Sequence, residues 1–309
     1  MTQSLDIGTS GGMPVGHGQG CWCGFHARRR FSALLLAAGA APGAALAQIP
    51  ECKRSGFTKA ISADQVEGAA FQQYRQMLQQ ASSQRALAPA THPQLERLRY
   101  MAQRMMPFTA ECNERARQWR WEVNLIGSND VNAFCMPGGK IGFFYGILAK
   151  LQLDDDEVAA IMGHEIAHAL LEHAREQMGK GVATSLGLRL GAALFGLGNV
   201  GDLAAQLGSQ LLSLTYSRRD ESEADALGLI VAAKAGYDPR AGISLWKKMM
   251  AASGGSAPPK LLSTHPTNAD RIRDIEARLA RVKPFFDKAA RPDRRFGPPA
   301  PQPARRPAG

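Results

Sequence analysis

One pentapeptide constrains this chain more than any other feature: His164-Glu165-Ile166-Ala167-His168. Two histidines four residues apart come close together only in an α-helix, where their β-carbons lie about 6 Å apart on one face. Two neutral imidazoles so placed can bind one tetrahedral metal ion such as zinc. Glu165 projects beside them and can take a proton from a metal-held water. With seven histidines in the chain, such a string arises by chance roughly 0.007 times, so it carries information. The flanks agree with a helix. Asp154, Asp155, Asp156 and Glu157 crowd its start, where the macrodipole favours carboxylates, and the pattern predicts one helix from Asp154 to about Met178.

A catalytic zinc needs a third protein ligand and one open position. His173 follows His168 by five residues, which turns it about 140° away from the shared face. That spacing makes it an exposed residue or one standing behind a ligand. A better source is Ser217-Arg218-Arg219-Asp220-Glu221-Ser222-Glu223-Ala224-Asp225, in a helix predicted over 216–235. Glu221 and Asp225 are four residues apart and can face one site. One carboxylate can bind the metal while the other accepts a hydrogen bond from a ligand histidine. Spacing leaves open which does which. Glu223 faces elsewhere, and the plainer alternative is a helix face ion-paired with Arg218 and Arg219.

Around these motifs the chain reads as α+β and mostly helical. Helices are predicted over 63–80 and 93–106, opened by capping boxes at Ser62/Gln65 and Thr91/Gln94. Trp119, Trp121, Val123 and Leu125 alternate with polar residues, as in a half-buried strand. Short strands at 131–135 and 140–144 flank Pro137-Gly138-Gly139, giving a small antiparallel sheet packed on helices. The Gly-rich, apolar stretch 182–214 reads as a loose helical hairpin. Core packing is its ordinary use, and peripheral contact with a membrane or an unfolded client is the alternative. A last helix is expected over 267–282. Residues 289–309 carry six prolines and read as disordered.

The net charge of +10 does not mark a nucleic-acid binder. Residues 281–309 hold +6 of it and residues 1–47 hold +2, so the body is nearly neutral and carries no basic recognition motif. Arg28-Arg29-Arg30 precede an apolar run ending at Ala45-Leu46-Ala47, the build of a secretory signal peptide. The chain then divides into a leader (1–47), a catalytic domain (48–282) and a Pro/Arg-rich tail (283–309). An exported chain keeps Cys52, Cys112 and Cys135. The first two can pair in an oxidising compartment, which leaves Cys135 free.

Four segments together resemble the zinc endopeptidase family that contains HtpX and the CAAX prenyl proteases, nearest its soluble, exported bacterial members. They are VNAFCMPGGKIGFFYGIL at 131–148, HEIAHALLEH at 164–173, YSRRDESEAD at 216–225 and STHPTNADRI at 263–272. The resemblance implies a zincin-like domain with the sheet packed on the HExxH helix. It implies that His164, His168 and Glu221 bind one zinc, that Glu165 is the general base and that Asp225 backs a ligand. It also implies that Asn132, Ala133, Phe134, Pro137 and Gly138 belong to an edge strand that pairs with peptide. His265 matches the family's mobile-loop histidine, which either donates to the oxyanion or fills the open zinc position. Arg271 matches a nearby family arginine that serves the reaction. The membrane spans of HtpX have no counterpart here.

These readings predict a zinc-dependent endopeptidase acting on polypeptides in the periplasm, in quality control of misfolded or unassembled envelope proteins. The competing readings are a latent, zinc-bound chaperone or assembly factor, and a structural zinc protein with four fixed ligands. No oligomeric state follows from the sequence.

Overall fold

The computed structural model describes residues 52–193, 211–254, 259–266 and 269–300. The predicted leader, residues 194–210 of the 182–214 stretch and the end of the tail lie outside the described residues.

The helices are α1 (Ala63–Ser83), α2 (Pro93–Met105), α3 (Tyr145–Leu151), α4 (Asp155–Leu170), α5 (His173–Ala193), α6 (Arg218–Lys234), α7 (Ala241–Ser253), α8 (Lys260–Thr264) and α9 (Ala269–Lys288). The strands are β1 (Glu122–Ile126), β2 (Ala133–Met136) and β3 (Lys140–Phe144). Reciprocal capping boxes start the helices that matter most: Ser62 with Gln65 for α1, Asp154 with Glu157 for α4, and Ser217 with Asp220 for α6. At α2 the cap is His92, whose Nδ1 accepts from the Gln94 amide, and not the expected Thr91.

The three strands lie in the order β1-β3-β2. β2 and β3 form the expected antiparallel hairpin, closed by Gly138 and Gly139 at φ of +82° and +76°, which a Cβ would strain. β1 pairs with β3 in parallel, so the sheet is mixed and not wholly antiparallel. The hairpin presents its second strand to β1, and a chain that returns by way of β2 then runs along β3 in the direction of β1. This topology leaves β2 at one edge.

α4 lies against β2 on one side and α6 on the other. All its residues except Asp156 are buried, as befits a helix that is apolar around most of its circumference. α4 and α6 meet at Gly163 and Gly228. A Cβ on Gly163 would lie 2.5 Å from the Gly228 carbonyl oxygen, and one on Gly228 would lie 2.6 Å from the His164 nitrogen. This close approach lets carboxylates at the start of α6 reach the α4 histidines.

Two expectations need correction. The helix predicted from Asp154 to Met178 breaks at Leu171–Glu172, because Glu172 takes the left-handed conformation (φ 59°) and ends α4. The tail is structured through residue 300. α9 runs through Pro284 to Lys288, and the following segment returns over α2 and the start of α4. The amides of Phe296 and Gly297 donate to Asp155, which also accepts from the buried Arg97 at 2.7 Å. Cys52 and Cys112 form a disulfide, and Cys135 is a buried free thiol.

Candidate active site

His164 and His168 leave α4 one turn apart, and their Nε2 atoms stand 3.1 Å from each other. Glu221, in the first turn of α6, reaches both: Oε2 is 3.5 Å from His164 Nε2 and Oε1 is 3.4 Å from His168 Nε2. His265, which ends α8, places Nδ1 at 2.9 Å from Glu221 Oε1 and 3.3 Å from His164 Nε2. One donor atom from each of the four lies within 4.8 Å of the others, and all four residues are buried.

Behind His164, Nδ1 stands 3.0 Å from Asp225 Oδ1. Asp225 is gripped by Arg271 through Nε and Nη2 at 2.6 and 2.9 Å. Arg271 Nη1 also lies 2.5 Å from Glu221 Oε2, an ion pair whose angles do not make a hydrogen bond, and the guanidinium stacks 3.6 Å over the Trp246 ring. Arg271 therefore holds the carboxylates of the site. Behind His168, Nδ1 stands 2.9 Å from His173 Nδ1, and His173 Nε2 stands 3.4 Å from Glu223 Oε2. His173 is only 1% exposed, so of its two expected settings the structure has the buried one; Glu223 lies outside the donor cluster, pairing with Arg219 and reaching His173.

Glu165 is buried, and its Oε1 has no hydrogen-bond partner, with His265 Nε2 3.7 Å away. It borders a cleft lined on one side by Asn132, Ala133, Phe134 and Pro137 and on the other by Tyr216 and His265. Gly138 falls in the turn beyond, next to Glu67. Spacing alone missed Tyr216, whose ring lies 4.1 Å from that of His168, and Trp246 beneath Arg271. Tyr216 stands one residue before the Ser217 cap of α6 and opens the YSRRDESEAD segment, and that membership was its signal.

The electrostatics follow from burial and partners. Burial drives the His168 imidazole well below its usual value and keeps it neutral. Burial opposes charge on His164 too, but hydrogen bonding to Asp225 and Glu221 outweighs it and lifts that imidazole to about 9. Against the same burial, three histidine hydrogen bonds hold Glu221 far below the carboxylate range, and Arg271 with His164 holds Asp225 low. Burial raises Glu165 above its ordinary value. The cluster thus asks for one positive charge, which a proton on His164 supplies when no metal does.

The residues fit zinc. A neutral His164 that donates from Nδ1 to Asp225 leaves its Nε2 lone pair facing the His168 Nε2 and a Glu221 carboxylate, a two-imidazole, one-carboxylate donor set.

Comparison with known proteins agrees. Residues 89–279 match the model of Peptidase family M48. The chain is 32% identical over 261 residues to the mitochondrial metalloendopeptidase OMA1 of Schizosaccharomyces pombe, covering 82% of this chain and 73% of that protein. It is 39% identical over 153 residues to mitochondrial metalloendopeptidase OMA1 of Arabidopsis thaliana, covering 50% of this chain and 30% of that one. It is 29% identical over 209 residues to metalloprotease LoiP of Escherichia coli, covering 66% and 78%. The chain belongs to Peptidase family M48 and is a zinc metalloendopeptidase.

Proposed function

We propose that the chain is an exported endopeptidase of the soluble HtpX-like branch, which clears misfolded or unassembled proteins from the bacterial envelope. The observation that carries this reading is the buried His164, His168 and Glu221 donor set beside Glu165, whose buried Oε1 makes no hydrogen bond, at the edge of β2. In this reading residues 48–282 form the catalytic unit behind a cleaved leader. The Cys52–Cys112 disulfide favours an oxidising compartment. Among the described residues no helix is long and apolar enough to cross a membrane.

His164, His168 and Glu221 would hold the zinc, which would supply Lewis acidity toward the scissile carbonyl and a water molecule. Glu165 takes a proton from the attacking water and returns it to the departing amine. Its raised affinity for protons, set by burial, suits that return. A peptide running along Asn132–Pro137 pairs with the β2 edge through its own backbone, which gives affinity with little sequence preference. Such pairing suits clients that share only unfolded backbone. Asp225 fixes the His164 tautomer and Arg271 fixes Asp225.

One observation favours the latent second reading. His265 Nδ1 already sits among the donor atoms, in reach of Glu221 and His164. A chain so held binds clients and cuts only after His265 withdraws. Casein digestion by wild type and His265→Ala separates the two. Faster cutting by His265→Ala identifies a latch, and slower cutting identifies an oxyanion donor. In cells, Glu165→Gln that clears unassembled envelope proteins as well as wild type would overturn proteolysis as the function.

A further inference from the structure

We infer that His173 is a positioning residue for the metal centre: with Glu223 it forms a relay that fixes the ring and tautomer of His168. The inference rests on the proposed ligand set. A metal-binding histidine presents one nitrogen to the metal and donates from the other to a partner that holds the ring. For His164 that partner is the Asp225 carboxylate. His168 has no carboxylate at its Nδ1; what stands there, 2.9 Å away, is His173 Nδ1.

The proton count closes in one way. His168 turns Nε2 toward the donor cluster, and a ligand that binds through that nitrogen carries its hydrogen on Nδ1. That hydrogen is donated to His173 Nδ1, which must then be a bare acceptor. The hydrogen of His173 is therefore on Nε2, the nitrogen that faces Glu223 Oε2 at 3.4 Å. Glu223 is itself oriented by Arg219, whose Nε lies 3.4 Å from Oε1. The partly exposed carboxylate sets the tautomer of His173, and His173 sets that of His168.

The backbone gives independent support. On an unbroken helix His173 would point about 140° away from His168. The left-handed Glu172 between α4 and α5 redirects the chain, and His173 comes back against the ring it would otherwise miss. A non-glycine residue adopts that conformation at some cost. Glu172 is held in place by Arg175, which pairs with its carboxylate at 2.7 Å and donates to the Ile61 carbonyl.

The test uses the full chain and four variants: His173→Ala, His173→Asn, His173→Gln and His168→Ala. Zinc dissociation constants are measured by chelator competition, and thermal unfolding is measured on the metal-free forms. Asparagine offers an acceptor near the Nδ1 position and drops the Glu223 contact; glutamine reaches the Nε2 position and drops the His168 contact. The expected result is a loss of at least about tenfold in zinc affinity for His173→Ala and His173→Gln, and restoration to within about threefold of wild type by His173→Asn. Metal-free unfolding midpoints that follow a different order from the zinc affinities exclude a purely structural role. His173→Ala with wild-type affinity, while His168→Ala loses zinc, overturns the relay and leaves the ligand set standing. If His168→Ala also keeps wild-type affinity, the ligand set itself fails.

Discussion

The two histidines proposed as ligands stand one helical turn apart, yet the protein holds them from behind by different chemistry. His164 rests on a buried carboxylate that is itself clamped by a buried guanidinium. His168 rests on an imidazole, with a carboxylate only one step further out and 32% exposed. The first arrangement raises the proton affinity of its histidine, and the second leaves burial to lower it. Two equivalent ligands of one ion can therefore differ in charge when the ion is gone. With no ion bound, hydrogen bonding to Asp225 and Glu221 favours a proton on His164, and burial disfavours one on His168.

Asp225→Asn should break this contrast most severely. It leaves the buried Arg271 with Glu221 as its remaining carboxylate, which should cost about 3 kcal/mol of stability, and zinc affinity should fall toward the hundredfold end of the range for such partners. Urea unfolding and chelator competition read both, and a cost below that of His173→Ala would invert the comparison. Gly228→Ala strikes both sides together. Its methyl group would meet the His164 nitrogen at 2.6 Å and push α6 from α4, so a stability loss of about 1–3 kcal/mol is expected, with zinc weakened. Wild-type stability in that variant would mean that the helix crossing does not set the site.

Acid sharpens the contrast further. His168 is already neutral and Glu221 already ionised across the neutral range, so zinc has one proton to displace, from His164. A group whose proton affinity is raised to about 9 binds its proton below that value, so zinc is favoured as pH rises through about 9 and is lost as pH falls. Chelator competition between pH 6 and 9 should show affinity climbing close to about tenfold per unit. Asp225→Asn should flatten that slope and His173→Asn should leave it intact. The smallest effect belongs to the region furthest from the metal. Deleting residues 289–309 removes the amides that meet Asp155 at the start of α4. It should lower the unfolding midpoint by a few degrees, on the order of 1 kcal/mol, and leave zinc affinity unchanged.

What was legible in the sequence follows the same division. The His164 side was open to reading because it depends on helical periodicity: residues four apart on α4 and on α6, with acidic residues crowding the start of α4. The His168 side was only half-open, with His173 either exposed or behind a ligand, because it depends on a break in periodicity. Glu172 is no glycine, and nothing in its type advertises a left-handed turn. The mixed sheet was hidden for a related reason, since strand alternation reports which face is buried and not which neighbour a strand chooses. The tail misled through its prolines. Its order comes from tertiary contacts of Phe296 and Gly297 with Asp155, which composition does not register.

The most direct test of the central claim is zinc content measured beside casein cleavage for wild type, Glu165→Gln and His265→Ala. The account predicts about one zinc per chain in all three, cleavage by wild type or by His265→Ala, and none by Glu165→Gln. Zinc-free wild type, or cleavage by Glu165→Gln at the rate of its parent, would contradict it.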